Sequence, residues 1–185
     1  MARTTPVHFG YTIINGAGTG TNGKRIDVWV EYKVVEQDIA NNKSRIIAYF
    51  YACLNPAYSS STWGSSGCYS AFSVNGVSGT DLKKNGSYDF RSSSKLNLMG
   101  TFDGWVAHNQ DGSKTISIAG SFTTDSDYIT GGNVSGNVVL PRIPRGCWVR
   151  EGMLWRQALI YANVGGQWKQ CLGYVNSGGV WKQGV

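Results

Sequence analysis

The sequence predicts an all-β protein: an antiparallel β-sandwich of jelly-roll type, followed by a small β-meander of 13-residue repeats. Three observations carry this expectation. Apolar residues recur at every second position through long windows, no comparable window shows a helical period, and Asn-Gly or Asp-Gly dipeptides punctuate the runs six times. With 185 residues, 41% of them hydrophobic and 12% aromatic, the chain can bury a real core and is unlike a disordered one.

Taken in order, Gly18-Thr-Gly-Thr-Asn-Gly23 formally matches a dinucleotide-binding fingerprint. That fingerprint needs a strand before it and a helix after it, whereas a strand follows here, so a flexible hairpin loop is expected. In the next run, Ile26, Val28, Val30, Tyr32 and Val34 alternate with Asp27, Trp29, Glu31 and Lys33, which predicts a half-buried strand. Residues Ile46 to Leu54 are apolar almost throughout and rich in aromatic and β-branched types, as expected of a central strand covered on both faces. Asn55 to Tyr69 reads as a long polar loop that exposes aromatic residues, Tyr58 and Trp63 among them. Ile116, Ile118 and Phe122 resume the alternation, and Val134 to Leu140 supplies another strand. The dipeptides at Asn15-Gly16, Asn22-Gly23, Asn75-Gly76, Asn85-Gly86, Asp103-Gly104 and Asp111-Gly112 are expected at hairpin turns, because both residue types tolerate positive φ.

Leu140-Pro-Arg-Ile-Pro-Arg145 reads as a stiff connector, since each proline lacks a backbone donor and biases the preceding residue toward extended geometry. The expected organisation is a sandwich over 1–140, a connector over 141–150 and a repeat region over 151–185. In the last region Trp155 to Gln167 aligns with Trp168 to Val180, and Trp181-Lys-Gln opens another copy. Each unit carries Trp, Leu and Tyr and then Asn-x-Gly-Gly, so the chain is expected to turn at every glycine pair.

The net charge of +6 is unevenly placed: residues 1–140 hold eleven Lys and Arg against ten Asp and Glu, and residues 141–185 hold six against one. A basic tail favours anionic partners by long-range attraction, although six cations are a thin footprint for nucleic acid, which is not expected as a partner. Met1 to Pro6 lacks the apolar segment of a secretory signal and no run reaches the roughly 18 residues of a membrane span, so a soluble, cytosolically made protein is expected, with no membrane partner. Cys53, Cys68, Cys147 and Cys171 are scattered, with neither zinc nor redox spacing, and suit buried thiols.

Catalytic chemistry has little support. His8 and His108 are the only histidines, no nucleophile elbow surrounds any serine, and the acids sit in turns or on alternating polar faces. Asp125-Ser-Asp127 lacks the ligand series of a calcium loop. The expectation is no enzyme, no metal and no cofactor.

At Asp38-Ile-Ala-Asn-Asn-Lys-Ser44, again at His108-Asn-Gln-Asp-Gly-Ser-Lys114, and at Leu140-Pro-Arg-Ile-Pro-Arg145, the chain resembles minor structural proteins of tailed phages, siphophages in particular. The resemblance runs over about residues 8–146, and the Trp/Gly-Gly tail is similar to short repeats that end phage tail and fibre proteins. It implies a β-rich virion component assembled in the host cytoplasm, contacting other virion proteins, at a tail tip, fibre or capsid surface. It also implies a part in host attachment, with no catalytic residues. A symmetric homo-oligomer, trimer or higher, would add avidity to weak sites.

The candidate partner-binding residues are Trp155, Arg156, Tyr161, Trp168, Lys169, Tyr174, Trp181 and Lys182 in the repeats, with Tyr58 and Trp63 in the long loop. The repeat tryptophans are expected chiefly to form the core of a very small unit, with the cations outward. The functional reading instead leaves aromatic faces exposed to stack on sugar rings or another protein, while the cations meet phosphate or carboxylate. Host-cell glycan or an anionic wall polymer is the expected ligand; the alternative is a capsid decoration or head-fibre subunit with a purely structural role.

Overall fold

The computed structural model describes residues 3–59, 63–144, 147–158, 160–171, 173–177 and 179–183. It is all-β, and its single helical element among the described residues is a 3-10 turn at Gly23–Arg25. The strands of the larger region are β1 (Thr12–Asn15), β2 (Ala17–Thr19), β3 (Ile26–Asp38), β4 (Lys43–Leu54), β5 (Gly64–Val74), β6 (Val77–Ser78), β7 (Lys84–Asp89), β8 (Asn97–Ala107), β9 (Thr115–Thr123) and β10 (Gly131–Val139). They form two antiparallel sheets, ordered β1-β3-β4-β8 and β2-β10-β9-β5-β6, with β7 on the free side of β5.

The two sheets share one core. Ile26, Val28 and Val30 of β3 and Ile46 and Phe50 of β4 meet Phe72, Ile116, Ile118, Phe122 and Val134 from the second sheet. Phe50 sits at the centre, its ring 5.8 Å from Phe72 and 6.2 Å from Phe122. Gly120 makes room for it, because a Cβ there would lie 2.9 Å from the Phe50 ring. In β9 the alternation is complete: Ile116, Ile118, Gly120 and Phe122 point inward and Thr115, Ser117, Ala119, Ser121 and Thr123 outward. As expected, β4 lies between β3 and β8.

The strand expected to be half-buried is buried on both faces over its first half, Ile26 to Glu31, and exposes Lys33 beyond it. Trp29 and Glu31 of β3 are 0% exposed, because the segment from Arg3 to Tyr11 crosses the outer face of the first sheet and covers them. A polar face in sequence becomes an interior face once a third layer lies over it.

The turn dipeptides behave unequally. Asn75-Gly76, at φ 51° and 79°, closes the two-residue hairpin between Val74 and Val77, and Asp111-Gly112 lies in the turn between β8 and β9. Asp103-Gly104, in contrast, lies inside β8 and pairs with Ile47 and Ile46, and Asn85-Gly86 lies inside β7 where its register against β5 shifts. Asn15-Gly16 and Asn22-Gly23 mark the passage from β1 to β2 and the start of the 3-10 turn. The Gly18–Gly23 segment is therefore no hairpin loop: Gly18 and Thr19 end β2, which pairs with β10, and the rest leads to β3 in the other sheet.

The expected connector is shared between the two regions. Ile143 is fully buried and its N–H donates to the Gly112 carbonyl at 3.0 Å, while Arg142 Nε donates to the Asp111 carbonyl. Cys147 already opens the first of three two-stranded ribbons: β11 (Cys147–Glu151) with β12 (Leu154–Ala158), β13 (Ile160–Val164) with β14 (Gln167–Cys171), and β15 (Tyr174–Ser177) with β16 (Val180–Gln183). The expected meander resolves into hairpins that pair within themselves among the described residues. The unit is also phased differently, with each glycine turn at its centre, so Cys147 to Ala158 is a complete first copy.

Candidate ligand-binding surfaces

The middle hairpin shows how the repeat is built. Tyr161 pairs with Gln170, Ala162 with Lys169, Asn163 with Trp168 and Val164 with Gln167, around Gly165-Gly166. Those glycines take φ 63° and 82°, the left-handed pair that a tight primed turn requires. Asn163 Oδ1 accepts the Gly166 N–H at 2.9 Å, which ties the Asn-x-Gly-Gly motif to the turn.

The tryptophan at this turn is no core residue. Trp168 is 71% exposed and Tyr161 49% exposed, whereas Ile160, Ala162 and Cys171 are half-buried. The expected packed Trp core fails here for a geometric reason: a single two-stranded ribbon has too little chain to cover its own faces. Lys169 is exposed, as expected. The side chains of Trp155, Arg156, Tyr174, Trp181 and Lys182 lie outside the described ones, but their backbone register is equivalent. Trp155 pairs with Arg150, Arg156 with Val149, Tyr174 with Gln183, Trp181 with Asn176 and Lys182 with Val175.

Tyr58 and Trp63 come together around a residue that the sequence did not single out. The Arg25 guanidinium carbon lies 5.2 Å from the Tyr58 ring centre and 5.6 Å from that of Trp63. Arg25 Nε is buried and has no hydrogen-bond partner among the described residues. The loop is shaped by Asn55, whose side chain donates to Asp27 at 2.8 Å and accepts the Ala57 N–H at 2.9 Å. Tyr58 is partly exposed, while Trp63 packs against the main core, so this cluster is chiefly a cation held between rings.

Two further arrangements lie in the larger region. Glu31 accepts hydrogen bonds from the Val7 and His8 N–H groups at 2.5 and 3.0 Å and from Trp29 Nε1 at 2.9 Å, and its carboxylate lies 3.0 Å from His8 Nδ1. Burial alone would raise its pKa, but the donors from Val7, Trp29 and His8 outweigh burial and hold it below the usual carboxylate range. His8 stacks on Tyr49 at 4.3 Å and Arg3 lies 4.2 Å from the Trp29 ring, so the N-terminal segment is latched at several points. No sequence pattern marks Glu31, because its position in the alternation is that of a solvent residue.

His108 and Ser44 form the one Ser–His contact among the described residues, Ser44 Oγ to His108 Nε2 at 2.8 Å. His108 Nδ1 lies 2.8 Å from the Gly112 carbonyl, which makes that nitrogen a donor. Both residues are buried, and a backbone carbonyl stands where a hydrolase would place a carboxylate, so the pair fastens the β8–β9 turn onto β4. Cys53 and Cys68 are free and buried, and burial pushes both thiols up to about 11, which keeps them protonated and unreactive at neutral pH. Among the described residues no group of three or more His, Cys, Asp or Glu is placed to hold a metal, and no helix is long and apolar enough to cross a membrane.

The outer face of the second sheet carries a shallow groove of about 600 Å³ lined by Ala71, Ser73, Ala119, Ser121, Asn133 and Ser135, without a charge. Comparison with known proteins finds no matching family model, no matching curated protein and no matching solved structure.

Proposed function

We propose that this protein is a structural component of a tailed-phage virion that contributes to host-surface attachment through its C-terminal hairpins, with the β-sheet body mounting it among other virion proteins. The observation that carries the reading is the display of Trp168 and Tyr161 in water on a hairpin whose pattern recurs along the tail. Exposed aromatic rings sharing one face form the kind of apolar patch that marks interaction sites on protein surfaces. The basic tail adds long-range attraction toward the anionic surface of a bacterium. The buried Ser–His pair and the latched N-terminal segment hold the fold in place, which suits a structural role.

Repeated weak sites gain from assembly, and a homo-oligomer, trimer or higher, fits this reading. The test is co-sedimentation of the full-length chain with host cell walls, alongside light scattering. Pelleting with walls and an oligomeric mass are the expected results; a strict monomer that stays in the supernatant removes the attachment reading.

The alternative is capsid decoration or head-fibre assembly without host binding. One observation favours it: the uncharged Ala/Ser/Asn face of the second sheet presents no charge to desolvate and suits close packing on a neighbouring protein. In that case Ser121→Arg would impair incorporation into particles and leave adsorption of the assembled ones unchanged.

A further inference from the structure

We propose that the face of the middle hairpin carrying Tyr161, Asn163 and Trp168 is a binding platform for a neutral glycan, and that the tail cations take no part in it. This rests on the attachment reading and narrows its ligand. Successive residues of a strand point to opposite sides, so Trp168 and Lys169 cannot grip the same ligand. Asn163 lies directly across from Trp168, and Tyr161, two positions earlier, shares their face; Lys169 lies across from Ala162 on the other. The platform is therefore aromatic and amide, with no charge among these three residues.

The exposure pattern points the same way. Ile160, Ala162 and Cys171 are half-buried while the two aromatic rings stand in water, the reverse of what packing alone would select. Diagonal positions of a hairpin are about 7 Å apart at the backbone, within reach of long aromatic side chains, so one sugar chain can lie along both positions. The ring faces offer apolar contact to the C–H side of a pyranose. Because Asn163 Oδ1 is engaged by the Gly166 N–H, its Nδ2 is left as a donor for a sugar hydroxyl. A phosphate-bearing polymer would need a cation at this place, and the register puts Lys169 behind it.

Tyr174, Asn176 and Trp181 occupy the equivalent register in the last hairpin. The first hairpin departs, with Arg150 opposite Trp155. One such platform per chain, multiplied by assembly, converts weak stacking into avidity.

The test is co-sedimentation of the full-length protein with host walls, untreated or stripped of phosphate polymers with hydrofluoric acid, at low and high salt. Wild type is expected to pellet in all four conditions. Trp168→Ala should weaken binding by about tenfold or more and Lys169→Gln by less than about twofold. Both positions are exposed, so both variants keep the wild-type unfolding transition as a check of folding. Binding that disappears on stripping, collapses with salt, or follows Lys169 rather than Trp168 overturns the neutral platform and leaves host attachment standing. If wild type fails to pellet even with untreated walls, the attachment reading falls, and the platform with it.

Discussion

Trp29 and Trp168 are both tryptophans on antiparallel strands, and they have opposite fates. Trp29 is 0% exposed, stacked near Tyr51, covered by Arg3 and hydrogen-bonded to Glu31, while Trp168 is 71% exposed on a ribbon of two strands. Strand propensity is satisfied equally in both. The difference lies in layers: the first sheet is flanked by the second sheet and by the N-terminal segment, whereas the hairpin leaves one face uncovered. Burial in this molecule follows from the number of layers, and function is sought where a layer is missing.

If that contrast holds, the two regions respond to substitution on different scales. The largest effect is expected at Phe50, which bridges both sheets: Phe50→Ala should cost about 3–5 kcal/mol in chemical denaturation. A cost below about 1 kcal/mol would mean that the sheets do not share one core. Next comes Glu31→Ala, which orphans the Val7, His8 and Trp29 donors and should cost about 3 kcal/mol, with a red shift of tryptophan emission as the N-terminal segment detaches.

The same carboxylate supplies a pH signature. Its folded pKa is depressed, so its stabilisation is fully present above the unfolded value of about 4.3 and is lost as pH falls toward and through the folded one. The stability difference between wild type and Glu31→Gln should thus shrink on acidification below about pH 4. A difference that stays constant through that range would show that the donors do not depress Glu31.

Smaller effects are expected in the tail. Gly166→Val at φ 82° should cost about 1–2 kcal/mol locally, seen as faster amide exchange in the middle hairpin with the global transition unchanged. Trp168→Ala should change global stability by less than about 0.5 kcal/mol. A large loss would mean that the ring packs against something, and the exposed platform would lose its basis.

Much of the fold is legible in particular residues. The alternation from Thr115 to Thr123 reads directly as the inner and outer sides of β9, and the apolar run of β4 reads as a central strand. Both depend only on which side chains water rejects. Asp103-Gly104 misleads because turn propensity is local and weak, while pairing with Ile46 and Ile47 across β4 commits those residues to a strand interior. Among the candidate site residues, Tyr161, Trp168 and Lys169 are exposed, but only the register divides aromatic from cation. Arg25 between Tyr58 and Trp63 carried no signal, since it is brought to that loop across more than thirty residues of intervening chain.

By itself, the sequence determined the all-β class, the strands with an inward apolar stripe, the 13-residue period and the asymmetry of charge, because each is a local property of side-chain type and spacing. Only the tertiary structure decided that Glu31 is an interior anchor, that His108 is a fastener, and that Trp168 stands in water rather than in a core. Those outcomes depend on which strand lies opposite, in what register, and whether another layer covers it, and contacts of that kind are made between residues far apart in the chain.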